Sequence, residues 1–156
     1  MDKYKTAIEE LRKLGYSEKV IENWVNPKNL GIPDSRKCDG YSGWNRSRYK
    51  DSMAICLKMK GNIIQEATFM SDATVGLVST ASLFTEKIKN LPISKATAIS
   101  SAEIINELGG LPKQFHHCAD LARDSLVKAV KNYQQTLFDD EEPWEKPWKK
   151  LFKKWK

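Results

Sequence analysis

The chain has 156 residues, 40% hydrophobic and 29% charged, an ordinary globular mixture long enough for one domain with a real core. No apolar run approaches the roughly 18 residues that would cross a bilayer, and no apolar stretch follows Met1-Asp2-Lys3-Tyr4-Lys5 as a secretory signal would require, so a cytoplasmic protein is expected. The net charge of +6 is concentrated at one end: residues 143 to 156 hold six lysines against Glu145 alone, which leaves the rest close to neutral and makes a nucleic-acid-binding fold unexpected.

Tyr4, Ala7, Ile8, Leu11 and Leu14 have the spacing of an amphipathic helix that Gly15 can end. A second helix starts after Ser17, a candidate N-cap, buries Val20, Ile21, Trp24 and Val25, and stops at Pro27. Residues 26 to 48 are rich in Gly, Pro, Asn, Asp and Ser and read as a long loop with room for one short strand. Alternation of Met53, Ile55, Leu57 and Met59, a Gly61-Asn62 turn and a return over Ile63 to Met70 predict a β-hairpin.

Ser71-Asp72-Ala73-Thr74 can cap a helix over Gly76 to Lys89 whose buried face is Leu77, Val78, Ala81, Phe84 and Ile88. Ser94 is a candidate cap for a brief helix, and Ser100 with Glu103 has capping-box spacing for another that ends at Gly109-Gly110. A last long helix runs from Cys118 through Leu121, Ala122, Ser125, Leu126, Ala129, Val130 and Tyr133, with Asp120, Arg123, Asp124, Lys128 and Lys131 facing water.

Asp139-Asp140-Glu141-Glu142 and Pro143 read as a linker. Beyond it Trp144, Trp148, Leu151, Phe152 and Trp155 fall on one helical face with lysines opposite. Such a segment is a candidate partner-binding tail; it could dock in a partner's groove, lie on an anionic membrane or pack back on its own domain or oligomer. The organisation expected is an N-terminal helix over 1 to 15, a domain over 16 to 138, and this linker and tail over 139 to 156.

Cys38, Cys56 and Cys118 have no paired spacing, and an odd count argues against a secreted disulfide framework. Cys118 draws attention because it follows His117 where Gly109-Gly110-Leu111-Pro112 gives way to the last helix. Unpaired amides at a helix N-terminus favour negative charge, so a thiol there is expected to ionise more readily and to serve as nucleophile or metal ligand. The competing expectation is a small apolar side chain on a core helix.

Several runs resemble the U-type iron–sulfur cluster assembly scaffolds, the family of the NifU N-terminal domain: Tyr16 to Gly31 with its Asn26-Pro27-Lys28-Asn29-Leu30-Gly31, Glu66-Ala67-Thr68-Phe69, Ser79 to Glu86, and His117-Cys118-Ala119-Asp120-Leu121-Ala122. The resemblance implies an α+β domain, a small, mainly antiparallel β-sheet with helices packed on one side. It also implies three cysteines and an aspartate converging where a cysteine desulfurase delivers sulfur and a 2Fe–2S cluster forms. Thiolates are soft donors suited to such clusters, which take four protein ligands.

Two of those thiols are replaced. Tyr49-Lys50-Asp51 stands for the family's Cys-Gly-Asp, and Ala73-Thr74-Val75-Gly76 for Gly-Cys-Gly-Ser; Cys118 is the thiol retained. Cys56, an odd number of residues from Asp51 along a strand, is expected to be structural, whereas Cys38 lies in a loop that could swing toward the site.

The resemblance thus implies a non-enzymatic scaffold-like protein with a degenerate site. Asp51, His117 and Cys118 are candidate metal ligands, for zinc or an iron–sulfur cluster, and Cys118 is a candidate persulfide acceptor. A cysteine desulfurase or another cluster-assembly protein is the implied partner, and a homo-oligomer is possible. The alternative is an interaction subunit that keeps the fold and uses its tail.

Overall fold

Helix α1, Lys5–Lys13, buries Leu11, and Tyr4 just before it meets Trp24 edge-to-face with ring centroids 6.1 Å apart. Trp24 belongs to α2, Glu18–Val25, which starts as expected: the Ser17 hydroxyl accepts the Val20 amide at 3.0 Å. These coordinates are a computed structural model and describe residues 4 to 32 and 34 to 139; Trp144, Trp148, Leu151, Phe152 and Trp155 lie outside the described residues.

The segment read as one loop contains a 3₁₀ turn, Ser35–Lys37, and two short strands, β1 Gly40–Tyr41 and β2 Asn45–Arg46. Both lie antiparallel along one edge of β3, Ser52–Lys60. Two-residue strands leave no alternation to read, which is why local pattern missed the second one. The other edge of β3 carries β4, Ile63–Ser71, with Ile55 opposite Phe69 and Leu57 opposite Ala67. Alternation sends Met53, Ile55 and Leu57 with Phe69 and Ala67 into the core, all fully buried. Burial of each larger side chain contributes about 1.5–3 kcal/mol.

Helices cover that inner face. α3, Val75–Ile88, is buried on almost every side rather than on one, because α2, α5, α6 and β4 all pack around it. Its hydroxyls are satisfied within the core: Thr80 donates to the Gly76 carbonyl at 2.6 Å, and Ser82 donates to Asn23 Oδ1 at 2.7 Å while accepting the Lys28 amide. No side chain caps α3 at Thr74. The short α4, Ile93–Ala96, is preceded by Pro92 rather than capped by Ser94. α5, Ser101–Glu107, has the expected cap, with Ser100 Oγ accepting the Glu103 amide at 3.1 Å.

A 3₁₀ turn, Lys113–Phe115, leads into α6, His117–Asp139. Arg123 is half-buried instead of solvated and donates to the Ile99 carbonyl at 2.6 Å. α6 crosses close over β1: a Cβ on Gly40 would lie 2.5 Å from the Ala129 carbonyl oxygen, so only glycine fits there. The architecture is α+β, an open antiparallel four-stranded sheet with helices on one face, as the resemblance implied. Among the described residues no helix is long and apolar enough to cross a membrane.

The expectation that Cys38 is a loop thiol able to swing toward the site is corrected. Cys38 and Cys56 are bonded, with Cα atoms 5.4 Å apart, because pairing of β1 with β3 puts Tyr41 beside Cys56 and brings the preceding residues alongside. Cys38 therefore does not swing toward Cys118, which is the free cysteine of the described residues.

Candidate metal centre

Asp51 ends the β2–β3 connection. Lys50 N donates to Ser47 O at 3.1 Å and Ser47 N to Asp51 O at 2.9 Å, closing a three-residue hairpin loop in which Lys50 takes a left-handed φ of 76°. The Ser47 hydroxyl donates to Asp51 Oδ1 and accepts the Tyr49 amide, fixing the carboxylate at the mouth of the turn.

His117 and Cys118 open α6 and face that carboxylate. His117 Nε2 is 2.9 Å from Asp51 Oδ2, and Cys118 Sγ is 3.8 Å from both of those atoms. The Gln114 carbonyl can only accept, so the ring nitrogen 3.1 Å from it, Nδ1, carries a hydrogen. Nε2 is thereby aimed at Asp51, to which it donates in the metal-free site, and it is the nitrogen a metal would take in place of that hydrogen, with the backbone carbonyl holding the ring in place.

The donors fit one ion. Oxygen, nitrogen and sulfur ligands on a tetrahedral zinc stand about 3.4–3.6 Å apart, from bond lengths of roughly 2.0–2.3 Å. The edges found, 2.9, 3.8 and 3.8 Å, need shifts of only about half an ångström to reach that spacing. The three residues form a group of possible metal ligands whose donor atoms all lie within 4.8 Å of one another. They do not fit a 2Fe–2S cluster in one chain, which takes four protein ligands.

Tyr49 cannot supply the missing thiolate; its ring lies against the His117 imidazole, centroids 4.4 Å apart and tilted 40°, and Arg48 donates to its hydroxyl at 2.8 Å. Gly76 closes the site from α3: a Cβ there would sit 3.2 Å from Phe115 Cβ and 3.4 Å from Cys118 Sγ.

Electrostatics overturn the expected acidification of Cys118. Burial, then the Asp51 charge and its hydrogen bond, push the thiol up to about 12. The helix N-terminus is present, but it acts against desolvation of a side chain only 1% exposed. For Asp51 burial opposes ionisation, yet the hydrogen bonds from Ser47 and His117 outweigh it and hold the carboxyl below its usual range. An apo thiol and an ionised carboxylate are therefore the resting pair.

Ser47, Tyr49 and Gln114 are the supporting residues that sequence reading missed as such. The only local signal was Ser47 four residues before Asp51, and it becomes meaningful only once the hairpin loop is closed.

The NifU-like N-terminal domain model matches residues 15–139. The chain belongs to that family. An iron–sulfur cluster assembly scaffold protein of Archaeoglobus fulgidus is 36% identical over 119 residues, covering 76% of each chain. An iron–sulfur cluster assembly scaffold protein of Escherichia coli is 32% identical over 123 residues, 78% of this chain and 95% of its own. Among solved structures, a NifU-like N-terminal protein from Brucella abortus superposes with a TM-score of 0.58 at 12% identity, covering 76% of this chain and 94% of that one. That likeness speaks to fold alone. Within the NifU-like fold, Asp51, His117 and Cys118 lie at one end of the domain, where α6 begins and β3 starts.

Proposed function

We propose that this chain is an iron–sulfur-assembly-type scaffold protein whose site holds a single divalent ion of borderline softness, zinc or ferrous iron, between Asp51, His117 and Cys118. The observation that carries the reading is the triangle of oxygen, nitrogen and sulfur donors with edges of 2.9, 3.8 and 3.8 Å. A bound ion would supply a positive centre that keeps Cys118 as thiolate, in place of the protonated thiol that burial favours. Asp51 contributes a fixed negative charge, Gln114 orients the imidazole and Phe115 packs against Gly76 beside the thiol.

The relatives' printed names support a place in cluster assembly, and a cysteine desulfurase or another assembly protein is the partner this reading proposes. Acceptance of persulfide by Cys118 requires the site to open first, because the sulfur is buried and held as thiol. The same burial opposes a cluster shared by Cys118 of two copies.

The deciding experiment is metal and acid-labile sulfide analysis after anaerobic purification without added metal, beside Cys118→Ser. About one zinc or iron per chain without sulfide, lost in the variant, is the expected result. Sulfide equimolar with iron would replace this reading by cluster binding, and a metal-free wild type would end it.

A further inference from the structure

The sheet face turned away from α3 and α6 bears an apolar strip that no described helix covers. Asn45 points inward, where its Nδ2 donates to Asp124 at 2.9 Å and Ser125 at 3.0 Å on α6. Its neighbour Trp44 points the other way and is 58% exposed. Trp44 lies one residue beyond the Asn45–Met53 pair, level with Ala54, and Ala54 pairs with Met70, which is 39% exposed. The next outward row is Tyr41, Cys56 and Thr68, with the Cys38–Cys56 disulfide on it. Trp44 and Met70 are the exposed side chains of the strip, Ala54 between them is buried, and Tyr41, Cys56 and Thr68 are half-buried; large apolar side chains left open side by side in this way suit a contact site.

The chain itself holds a matching surface. The Tyr41 amide donates to Asn132 Oδ1 at 2.9 Å, and the Tyr133 hydroxyl to the Gly61 carbonyl at 2.6 Å, so α6 leaves the domain along the β1 edge of the sheet. Asp139 is seven residues beyond Asn132, about 10 Å along a helix. Seventeen residues follow it, outside the described residues. The four of the linker reach back about 13 Å extended, enough to cancel that overhang. The stretch 144 to 155 then measures about 17 Å as a helix, against about 10–15 Å for three neighbouring strands. Exposed Glu66 on β4 and Asp72 just beyond it flank the strip, opposite in sign to the tail's six lysines, while Lys58 opposite Glu66 and Arg46 on β2 add positive charge at the same face.

We propose that residues 143–156 pack in cis on this face, with Trp144, Trp148, Leu151, Phe152 and Trp155 against Trp44, Tyr41, the Cys38–Cys56 disulfide and Met70. The lysines then face water or the rim acids. The tail becomes the second covering of a sheet that the domain alone leaves open on one side. The strip and the tail's length carry this inference independently of the metal site.

The test places p-benzoylphenylalanine at position 148 of the full chain and maps photo-cross-links by mass spectrometry in a mixture of unlabelled and nitrogen-15-labelled protein. Cross-links within one chain to peptides holding Met70, Trp44 or Tyr41 are expected. Met70→Glu should cut their yield about tenfold, since a carboxylate beneath an apolar face must be desolvated, while an unchanged melting temperature shows that the domain is intact. Cross-links between labelled and unlabelled chains, cross-links confined to other surfaces, or cross-links that need anionic vesicles would each overturn the proposal. So would their absence.

Discussion

The ring of Tyr49 lies on the imidazole of His117, centroids 4.4 Å apart, at the position where the family resemblance implies a thiol. Ring contacts of this type contribute about 0.5–1.5 kcal/mol. Tyr49→Ala should therefore raise the alkylation rate of Cys118 in the metal-free protein by about two- to tenfold, the factor matching that contact energy. Iodoacetamide labelling of chelator-treated protein, read by mass spectrometry, measures it. An unchanged rate would mean that Tyr49 does not restrain the site.

Restoring both thiols should restore cluster capacity. Thr74 precedes α3 two residues before Gly76, whose Cβ position lies 3.4 Å from Cys118 Sγ. With Tyr49→Cys and Thr74→Cys combined, Cys118 and Asp51 complete the four ligands that a 2Fe–2S cluster takes. Anaerobic reconstitution should give a coloured protein with iron and sulfide in equal amounts, whereas wild type treated alike stays colourless. Failure of the double variant to retain sulfide counts against a vestigial cluster site.

Lys50 holds a φ of 76° at the third position of the hairpin loop, where the family resemblance implies glycine. A side chain in the left-handed region costs about 1–2 kcal/mol, partly offset by the greater chain entropy that glycine loses on folding. Lys50→Gly should stabilise the protein by about 0.5–1 kcal/mol in urea unfolding. Destabilisation would show that the ammonium makes a contact stronger than the strain.

The site should leave two marks on stability against pH in metal-free protein. Asp51 is held below its usual range, so its contribution is complete above the unfolded carboxyl value near 3.9 and disappears as pH falls through the lower folded value. Cys118 is raised to about 12; its contribution is complete below the unfolded thiol value near 8.5 and is lost as pH rises between there and about 12. Comparing unfolding free energies of wild type with Asp51→Asn on the acid side and Cys118→Ala on the alkaline side isolates each. Parallel profiles would refute the assigned couplings.

Metal should report the same geometry. Cobalt substituted at the site should show tetrahedral visible bands with a sulfur-to-metal charge-transfer band, and Cys118→Ser should remove the charge-transfer band while His117→Ala weakens affinity. Six-coordinate cobalt spectra would contradict the tetrahedral fit.

Periodicity determined the helices and the β3–β4 hairpin from local chemistry, Ser17 and Ser100 cap α2 and α5 as their spacing demands although the expected caps of α3 and α4 do not form, and Met53, Ile55 and Leu57 alternate into the core. The family motif named His117, Cys118 and Asp51 together, although 66 residues separate His117 from Asp51. What local sequence did not carry was decided by long-range pairing. Strands β1 and β2 are too short to show a pattern and exist through β3; that pairing also joins Cys38 to Cys56. Cys118 illustrates the same division. Its place at a helix N-terminus was legible and argued for an acidic thiol, but the charge it meets and the water it loses depend on Asp51 and α3 packing around it. Desolvation and a facing carboxylate are properties of the assembled fold, and here they outweigh what the helix end offers.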